Sequence, residues 1–329
     1  MTDLSHLQHL SRREFLRRSV TSAGALAALS LAPGAPGVAE ASGRHCLWGA
    51  YVDGKGGTTI DGIKAFEHAI RRPLGMTRHY LLWDRDLVND VIEWSAGTGH
   101  VPLIAWQGIR VDGGFVKWDQ IARGAYDARI HAQAQALAAW GRRAYFVFNH
   151  EPENDHPSGG HQEFKAAYKR IHRIFLAEGC TNLKFVATLL HGTYSGARGG
   201  AGAWMPDFVD ACGVDGYNRG ACTPAGWVSF RQLFGDAHAF AKRNHLGMVV
   251  EEWGSVEASA CGGVRHHSKA GWIRSAGSTI REWSNLWAVV YSNTRAFYFA
   301  KGKVVDFRAD TSHKALKAFR EVGDQPFLS

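Results

Sequence analysis

The sequence predicts a single α/β domain folded as a parallel (β/α)₈ barrel. Eight short apolar segments alternate with stretches of helical periodicity, over roughly the 250 residues that such a barrel needs. Polar and aromatic residues follow these segments, whereas the segments begin mostly with residues such as Cys, Val, Ala or Met. Functional groups of (β/α)₈ barrels gather at the carboxyl ends of the strands, so this asymmetry supports the barrel.

The predicted strands are short apolar runs without turn residues, as expected of strands buried on both faces. They are Cys46–Val52, His79–Trp83, Val101–Trp106, Ala144–Asn149, Lys184–Leu190, Cys212–Tyr217, Met248–Glu252 and Trp287–Ser292. A doubly wound open sheet is the alternative, and it would normally show G-x-G-x-x-G after its first strand. The residues at 53–57 read D-G-K-G-G and lack that spacing, which favours the barrel.

Helices are predicted where apolar residues recur at intervals of three and four. The clearest faces consist of Phe164, Ala167, Tyr168, Ile171 and Phe175, and of Phe230, Leu233, Phe234, Ala237 and Ala241. A face of smaller residues consists of Ile130, Ala134, Leu137, Ala138 and Gly141. A last helix is predicted within 311–322, where Thr and Ser offer caps ahead of Ala315, Leu316 and Phe319.

The first 41 residues are predicted to be an export signal. The motif S-R-R-E-F-L-R-R at 11–18 precedes a weakly apolar segment at 20–31, and A-E-A at 39–41 offers a cleavage site. The apolar segment is too short to span a membrane. We therefore expect residues 42–329 to form one domain without a membrane span, exported by the twin-arginine pathway to the periplasm or the medium.

Charge and cysteine content exclude several other classes. The formal net charge of +8 is spread along the chain without a basic block, so we expect no nucleic-acid partner. Five cysteines occur without any C-x-x-C pair, so no zinc pattern is present and we expect no metal. We also expect a monomer without a cofactor. Cys222 and Cys261 are the first candidates for a disulfide, because the loops after strands six and seven are neighbours on the rim.

Two glutamates end predicted strands that lie nearly opposite each other across the barrel mouth. Glu151 follows strand four and Glu252 ends strand seven. Retaining glycosidases need two carboxyl groups about 5–5.5 Å apart, and we expect burial to raise the pKa of Glu151. Glu153 competes with Glu151 for this place. Glu251 competes with Glu252, and only one of those two is expected to face the mouth, because adjacent strand residues face opposite ways.

The motifs around these glutamates resemble those of glycoside hydrolase family 26, a family of retaining (β/α)₈ enzymes. They are N-H-E-P-E at 149–153, V-D-G-Y-N at 214–218 and E-W-G-S at 252–255. Further matches are W-G-A-Y-V at 48–52, P-L-I-A-W at 102–106 and H-K-A-L-K-A-F-R at 313–320. The resemblance implies a secreted β-mannanase-like endo-glycanase that acts on a polysaccharide.

The resemblance also implies a role for individual residues. Glu151 would be the acid/base and Glu252 the nucleophile. His150 would hydrogen-bond near the sugar and the nucleophile, and Tyr217 would donate to the nucleophile and keep it ionised.

Four more residues complete the candidate substrate-binding set. Trp106 and Tyr291 would line the subsite of the cleaved sugar, and Asn149 and Trp253 lie within the matching motifs. Val147 stands where many mannanases carry arginine, and P-E-N-D-H at 152–156 replaces their usual Gly- and Trp-rich continuation. These departures weaken the assignment to mannan and leave the polysaccharide, its linkage and endo or exo action open.

Two other functions compete with a glycosidase. A metal-dependent barrel hydrolase is suggested by a cluster of possible ligands, His150, Glu151, Asp155, His156 and His161. Such enzymes usually carry H-x-H on the first strand, and 47–52 contains no histidine. A non-catalytic carbohydrate-binding barrel is the other alternative, and the presence of both glutamates argues against it.

Overall fold

The computed structural model describes residues 45–53, 57–154, 157–263, 266–300 and 303–329. The predicted export signal at 1–41 lies outside these residues, as do the possible metal ligands Asp155 and His156. No helix within the described ranges has both the length and the hydropathy needed to cross a membrane.

Eight parallel strands close into a barrel in sequence order, and β8 pairs with β1, which confirms the predicted fold. The strands are β1 Leu47–Val52, β2 Met76–Leu82, β3 Val101–Gln107, β4 Ala144–Phe148, β5 Leu183–Leu190, β6 Ala211–Asn218, β7 Gly247–Ser255 and β8 Leu286–Asn293. Each of them overlaps its predicted segment. The difference that matters for the site is in β2, which begins at Met76 rather than at His79.

Helices surround the barrel and bury the two clearest faces that the sequence predicts. They are α1 Thr59–Ile70, α2 Asp90–Gly97, α3 Trp118–Ala122, α4 Asp127–Trp140, α5 His161–Ala177, α6 His191–Tyr194, α7 Ala201–Trp204, α8 Phe230–Arg243, α9 Lys269–Glu282 and α10 His313–Gly323. All five apolar residues of each clear face, on α5 and on α8, are buried. Of the third face, Ile130, Ala134 and Leu137 are buried, whereas Gly141 is exposed just after α4. Ser312 caps α10 by accepting from the amide of Ala315, as the Thr/Ser signal predicts.

The strands separate two apolar cores because their side chains alternate between the faces of the sheet. Residues such as Met76, Leu103 and Val249 fill the inside of the barrel. Their strand neighbours pack outward against the helices in a larger core. Along β2 the inward positions continue from Met76 to Arg78 and Tyr80, so the inside of the barrel becomes polar toward the carboxyl ends of the strands.

A disulfide joins the loops that follow β6 and β7. Cys222 and Cys261 are bonded with their Cα atoms 5.1 Å apart, as predicted, and the other three cysteines are buried free thiols. After β8 the chain forms an antiparallel hairpin, β9 Arg295–Ala300 and β10 Lys303–Asp306, which the sequence did not predict. The hairpin brings Phe307 to the rim, where it packs in one apolar cluster with Cys222.

Candidate active site

The chain turns sharply where β4 ends. Asn149 and Glu151 have φ angles of 49° and 50°, a left-handed conformation that is uncommon for residues other than glycine and that often occurs at functional sites. The amide of Asn149 donates to the Trp106 carbonyl at 2.8 Å, and that of Glu151 to the Thr188 carbonyl at 2.9 Å. These bonds tie the turn to β3 and β5. The carboxyl group of Glu151 is partly exposed and accepts from Asn154 Nδ2 at 3.0 Å.

Glu153, the competitor of Glu151, has a structural role. Its side chain is fully buried, and its Oε1 accepts from the Leu190 amide and from Thr193 Oγ1, both at 2.7 Å. Burial raises the pKa of this carboxyl group. Glu153 therefore fastens the turn after β4 to the end of β5, whereas Glu151 is the glutamate at the mouth.

The two adjacent glutamates of β7 both contact Arg78, so they do not face opposite sides as expected, although only Glu252 reaches the mouth, as predicted. The pairing of β7 with β6 skips Glu251, because Asp215 pairs with Glu252 across a register shift. Such a bulge breaks the alternation of side chains. Arg78 lies 3.2 Å from Glu251 and 3.1 Å from Glu252. Glu251 is fully buried below the mouth, whereas Glu252 keeps 14% of its side chain exposed.

Donors surround both carboxylate oxygens of Glu252. The Tyr80 hydroxyl donates to Oε1 and the Tyr217 hydroxyl donates to Oε2. Arg78 Nη1 lies 3.1 Å from Oε1, and His150 Nε2 lies 3.6 Å from the same oxygen. Two hydroxyl donors and a nearby guanidinium thus hold this carboxyl group in one orientation at the mouth.

Arg78 is the only basic side chain that pairs with both glutamates of β7 among the described residues. It is fully buried, lies 3.5 Å from Asp215, and donates to the Glu251 carbonyl at 2.7 Å. Burial acts to lower its pKa, but Tyr80 and the three neighbouring carboxyl groups outweigh burial and raise the pKa above its usual value. The guanidinium is therefore a fixed positive charge under Glu252.

Asp215 and Glu251 differ from Glu252 in being wholly enclosed. Burial, reinforced by Glu252 and opposed by Arg78, raises the pKa of Asp215 well above its usual range. Burial also raises the pKa of Glu251 to about 7, again against the effect of Arg78. One guanidinium thus faces three carboxyl groups, and burial favours the protonated form of the two that are enclosed.

His150 adjoins both candidate catalytic glutamates. Its Nδ1 is 3.3 Å from Gln107 Oε1, its Nε2 is 4.0 Å from Asp215, and its ring is 4.9 Å from that of Tyr80. His150, Glu151 and Asp215 each offer a ligand atom, and these atoms lie within 4.8 Å of one another, a spacing that suits a metal ion. The neighbouring charge of Arg78 opposes the binding of a second cation there.

Three aromatic residues predicted to bind substrate are instead fully buried. Trp106, Trp253 and Tyr291 are 0% exposed and belong to the core between the barrel and the helices. Trp106 stacks on Trp83 with ring centroids 4.1 Å apart, and the Tyr291 hydroxyl donates to the Phe307 carbonyl at 2.6 Å. Their strand positions face the helices, so the structure does not support the expectation that Trp106 and Tyr291 line a sugar subsite, or that Trp253 binds substrate.

Asn149 is also buried rather than at the surface of the site. Its Oδ1 accepts from the Gly108 amide at 2.9 Å, so its side chain joins the ends of β3 and β4. Of the six predicted substrate-binding residues, His150 and Tyr217 adjoin the candidate nucleophile.

Sequence reasoning missed Arg78, Tyr80 and the burial of Asp215. The predicted second strand began at His79, which left Arg78 outside the sheet. The pattern M-T-R-H-Y at 76–80 places an arginine and a tyrosine on one strand face with Met76. A charged residue at an inward strand position needs a partner, and this requirement could have identified Arg78 from the sequence.

Comparison with solved structures agrees with this fold. A family 26 β-mannanase from Bacteroides ovatus superposes with a TM-score of 0.58 at 10% identity, over 98% of this chain and 94% of that one. An endo-β-1,4-mannanase double mutant from Cellulomonas fimi gives 0.57 at 16% identity, over 87% and 72%. The chain has the fold of the family 26 mannanases.

A curated relative is found by sequence as well. Endoglucanase H of Acetivibrio thermocellus is 27% identical over 277 residues, which cover 79% of this chain. The match spans 28% of that protein's length. No family model matches the chain.

The raised pKa of Glu251 predicts a pH-dependent stability difference between the wild type and Glu251→Gln. A carboxyl group whose folded pKa lies above its unfolded pKa contributes stability that is complete at low pH and is lost on ionisation. From pH about 4.5 to about 7, the free energy of unfolding of the wild type should therefore fall relative to that of the variant. The expected change is up to about 3 kcal/mol.

Urea unfolding of both proteins across this pH range measures the difference. Glu93→Gln, at an exposed position of α2, is the matched control and should show no such trend. A difference between wild type and Glu251→Gln that stays constant with pH would contradict a raised pKa.

Proposed function

We propose that the protein is a retaining glycoside hydrolase that cleaves a β-linked polysaccharide by double displacement. The observation that carries the proposal is Glu252, whose carboxylate is held at the mouth by two tyrosine hydroxyls and a buried arginine. Glu151, partly exposed at the end of β4, adjoins the same His150 and Asp215 that neighbour Glu252. A retaining glycosidase requires two carboxyl groups, one as nucleophile and one as acid/base, and these two glutamates are the candidates.

In the first step, Glu252 attacks the anomeric carbon and Glu151 gives its proton to the leaving oxygen. Arg78, Tyr80 and Tyr217 hold the attacking carboxylate in one orientation. That orientation makes the reaction effectively intramolecular. As the bond between Glu252 and the anomeric carbon forms, the glycosidic bond breaks, and its electron pair stays with the leaving oxygen that takes the proton from Glu151. The negative charge thus passes from Glu252 to Glu151.

In the second step, Glu151 acts as a base. It takes a proton from an incoming water, and the water attacks the anomeric carbon from the side of the departed leaving group. Glu252 is released as a carboxylate and regains its three donors. Two inversions at the anomeric carbon give a product with the original configuration.

We propose a mannanase-like substrate range with endo action. The solved structures that share the fold include β-mannanases, which supports mannan. The relative found by sequence is named an endoglucanase, so a β-glucan is the second candidate substrate. Release of reducing ends from mannan, mixed-linkage glucan and β-1,3-xylan, each assayed separately, identifies the preferred glycan; no release from any β-linked glycan would contradict the proposal.

Glu252→Ala should lose activity by several orders of magnitude, because no nucleophile remains to form the covalent intermediate. Added azide, which is small enough to occupy the vacated space, should restore part of the activity. The glycosyl azide that forms should have the inverted anomeric configuration, measurable by NMR. Glu93→Ala, at an exposed position on α2, is the control and should retain wild-type activity. Wild-type turnover by Glu252→Ala would rule out this nucleophile.

Glu151→Ala should depend on the leaving group. Aryl glycosides with acidic phenols need little protonation, so their cleavage should be much less impaired than that of the polysaccharide. For the polysaccharide the loss should be about 10²–10⁴-fold, the usual contribution of a general acid–base group. Steady-state rates on a series of aryl leaving groups measure this. An equal loss for all leaving groups would contradict the role of Glu151. Glu153→Gln, which changes the neighbouring buried glutamate, is measured in the same assay.

A metal-dependent hydrolase is the competing enzyme class, because His150, Glu151 and Asp215 could together bind an ion. Double displacement by Glu151 and Glu252 needs no metal, so the proposal predicts full activity after dialysis against a chelator. Activity that is lost on chelation and regained with one divalent metal would favour the metal hydrolase instead.

A further inference from the structure

Tyr217, which donates to Glu252, is covered on its ring by Phe307. The two ring centroids are 4.4 Å apart and the planes are inclined by 28°, which is a stacked arrangement. Phe307 is 2% exposed, so the contact is shielded from water. Because the hydroxyl lies in the plane of the tyrosine ring, a neighbour packed on the ring face restricts where that hydroxyl points.

Phe307 is itself held by two buried donors. Its carbonyl accepts from the Tyr291 hydroxyl at 2.6 Å and from Lys269 Nζ at 3.1 Å. Lys269 is fully buried, and its ammonium group also donates to the Arg308 carbonyl and to Thr311 Oγ1. A buried ammonium group is costly unless it is fully hydrogen-bonded, and these acceptors supply three bonds. The main chain at Phe307 is therefore fixed by side chains from β8 and α9.

Gly254 leaves the room that the stack needs. It pairs with Tyr217 between β7 and β6, two residues after Glu252. A Cβ atom at this position would lie 3.2 Å from Phe307 Cβ and 3.4 Å from Tyr217 Cδ1. The first of these distances is closer than normal packing, so a larger residue would press on the stack. The glycine of E-W-G-S thus has a packing explanation.

We propose that Phe307 is a positioning residue that holds the Tyr217 hydroxyl on the nucleophile. Its ring packs on Tyr217, and its carbonyl is anchored by Tyr291 and Lys269. This assigns buried Tyr291 a role through Phe307 instead of a direct contact with sugar. The inference rests on the proposed function, in which Glu252 is the nucleophile.

A double-mutant cycle separates positioning from simple structural support. Phe307→Leu should lower kcat about tenfold with little change in KM, because the Tyr217 hydroxyl is no longer fixed. In a Tyr217→Phe background, where no hydroxyl remains to position, the same substitution should cost less than about twofold. Equal losses in both backgrounds would overturn the proposal.

Phe175→Leu is the matched control. Phe175 is a fully buried phenylalanine on α5 that packs on Phe146 and Phe185, away from Tyr217. It should lower the thermal midpoint about as much as Phe307→Leu does, while kcat stays at the wild-type value. A comparable loss of kcat in Phe175→Leu would show that general destabilisation, not positioning, lowers the rate.

Tyr291→Phe keeps the test decisive if Phe307→Leu does not fold. This variant retains the buried ring and removes only one donor to the Phe307 carbonyl. It should lower kcat about two- to threefold, and this loss should disappear in the Tyr217→Phe background. A loss that persists there would contradict the inference.

A crystal structure of Phe307→Leu, or of Tyr291→Phe if Phe307→Leu does not fold, gives a readout that needs no activity. The Tyr217 hydroxyl should lie beyond hydrogen-bond range of Glu252, at more than roughly 3.5 Å. An unmoved hydroxyl would overturn the positioning role even if glycosidase activity is confirmed. Conversely, a moved hydroxyl in an enzyme that cleaves no glycan would leave the packing inference standing and contradict the proposed function.

Discussion

One buried guanidinium offsets the negative charge on which the site depends. Arg78 lies within 3.5 Å of three carboxyl groups, those of Asp215, Glu251 and Glu252. Removing one member of such a buried ion pair strands the other charges and is strongly destabilising. The bulge in β7 is what admits both glutamates to the same arginine. Burial raises the pKa of Asp215 and of Glu251, whereas Glu252 is the carboxyl group that reaches the mouth.

Two levels of support hold the Glu252 carboxyl group in place. Tyr80 and Arg78 reach it from β2, and Tyr217 reaches it from β6. Behind Tyr217 lies Phe307, which directly follows the hairpin after β8 that the sequence did not predict. Tyr291 and Lys269, whose burial would otherwise be difficult to explain, converge on the Phe307 carbonyl. The site is therefore built from strands at its centre and, at its rim, from the segment at Phe307, which is held by hydrogen bonds.

The fold was predictable from sequence because the apolar runs are separated by clear helical patterns, and eight such units leave few alternatives. The two glutamates were also visible, since each ends a strand. Side-chain direction was harder to predict. β2 begins three residues before the predicted strand, so Arg78 was not expected in the sheet. A bulge at Glu251 breaks the expected alternation of side chains along β7. The same difficulty applies to Trp106, Trp253 and Tyr291. Their aromatic side chains suggested sugar binding, but the register of their strands places the rings against the helices.

The stereochemistry of hydrolysis tests the central claim most directly. NMR of the first sugar released by the wild-type enzyme, recorded before mutarotation, shows whether the anomeric configuration is retained. A covalent intermediate on Glu252 requires two inversions, so the first product from a β-linked glycan should be the β-anomer. An α-anomer would mean that water attacks directly, with the two carboxyl groups too far apart for a glycosyl–enzyme bond, and would contradict the roles given to Glu151 and Glu252.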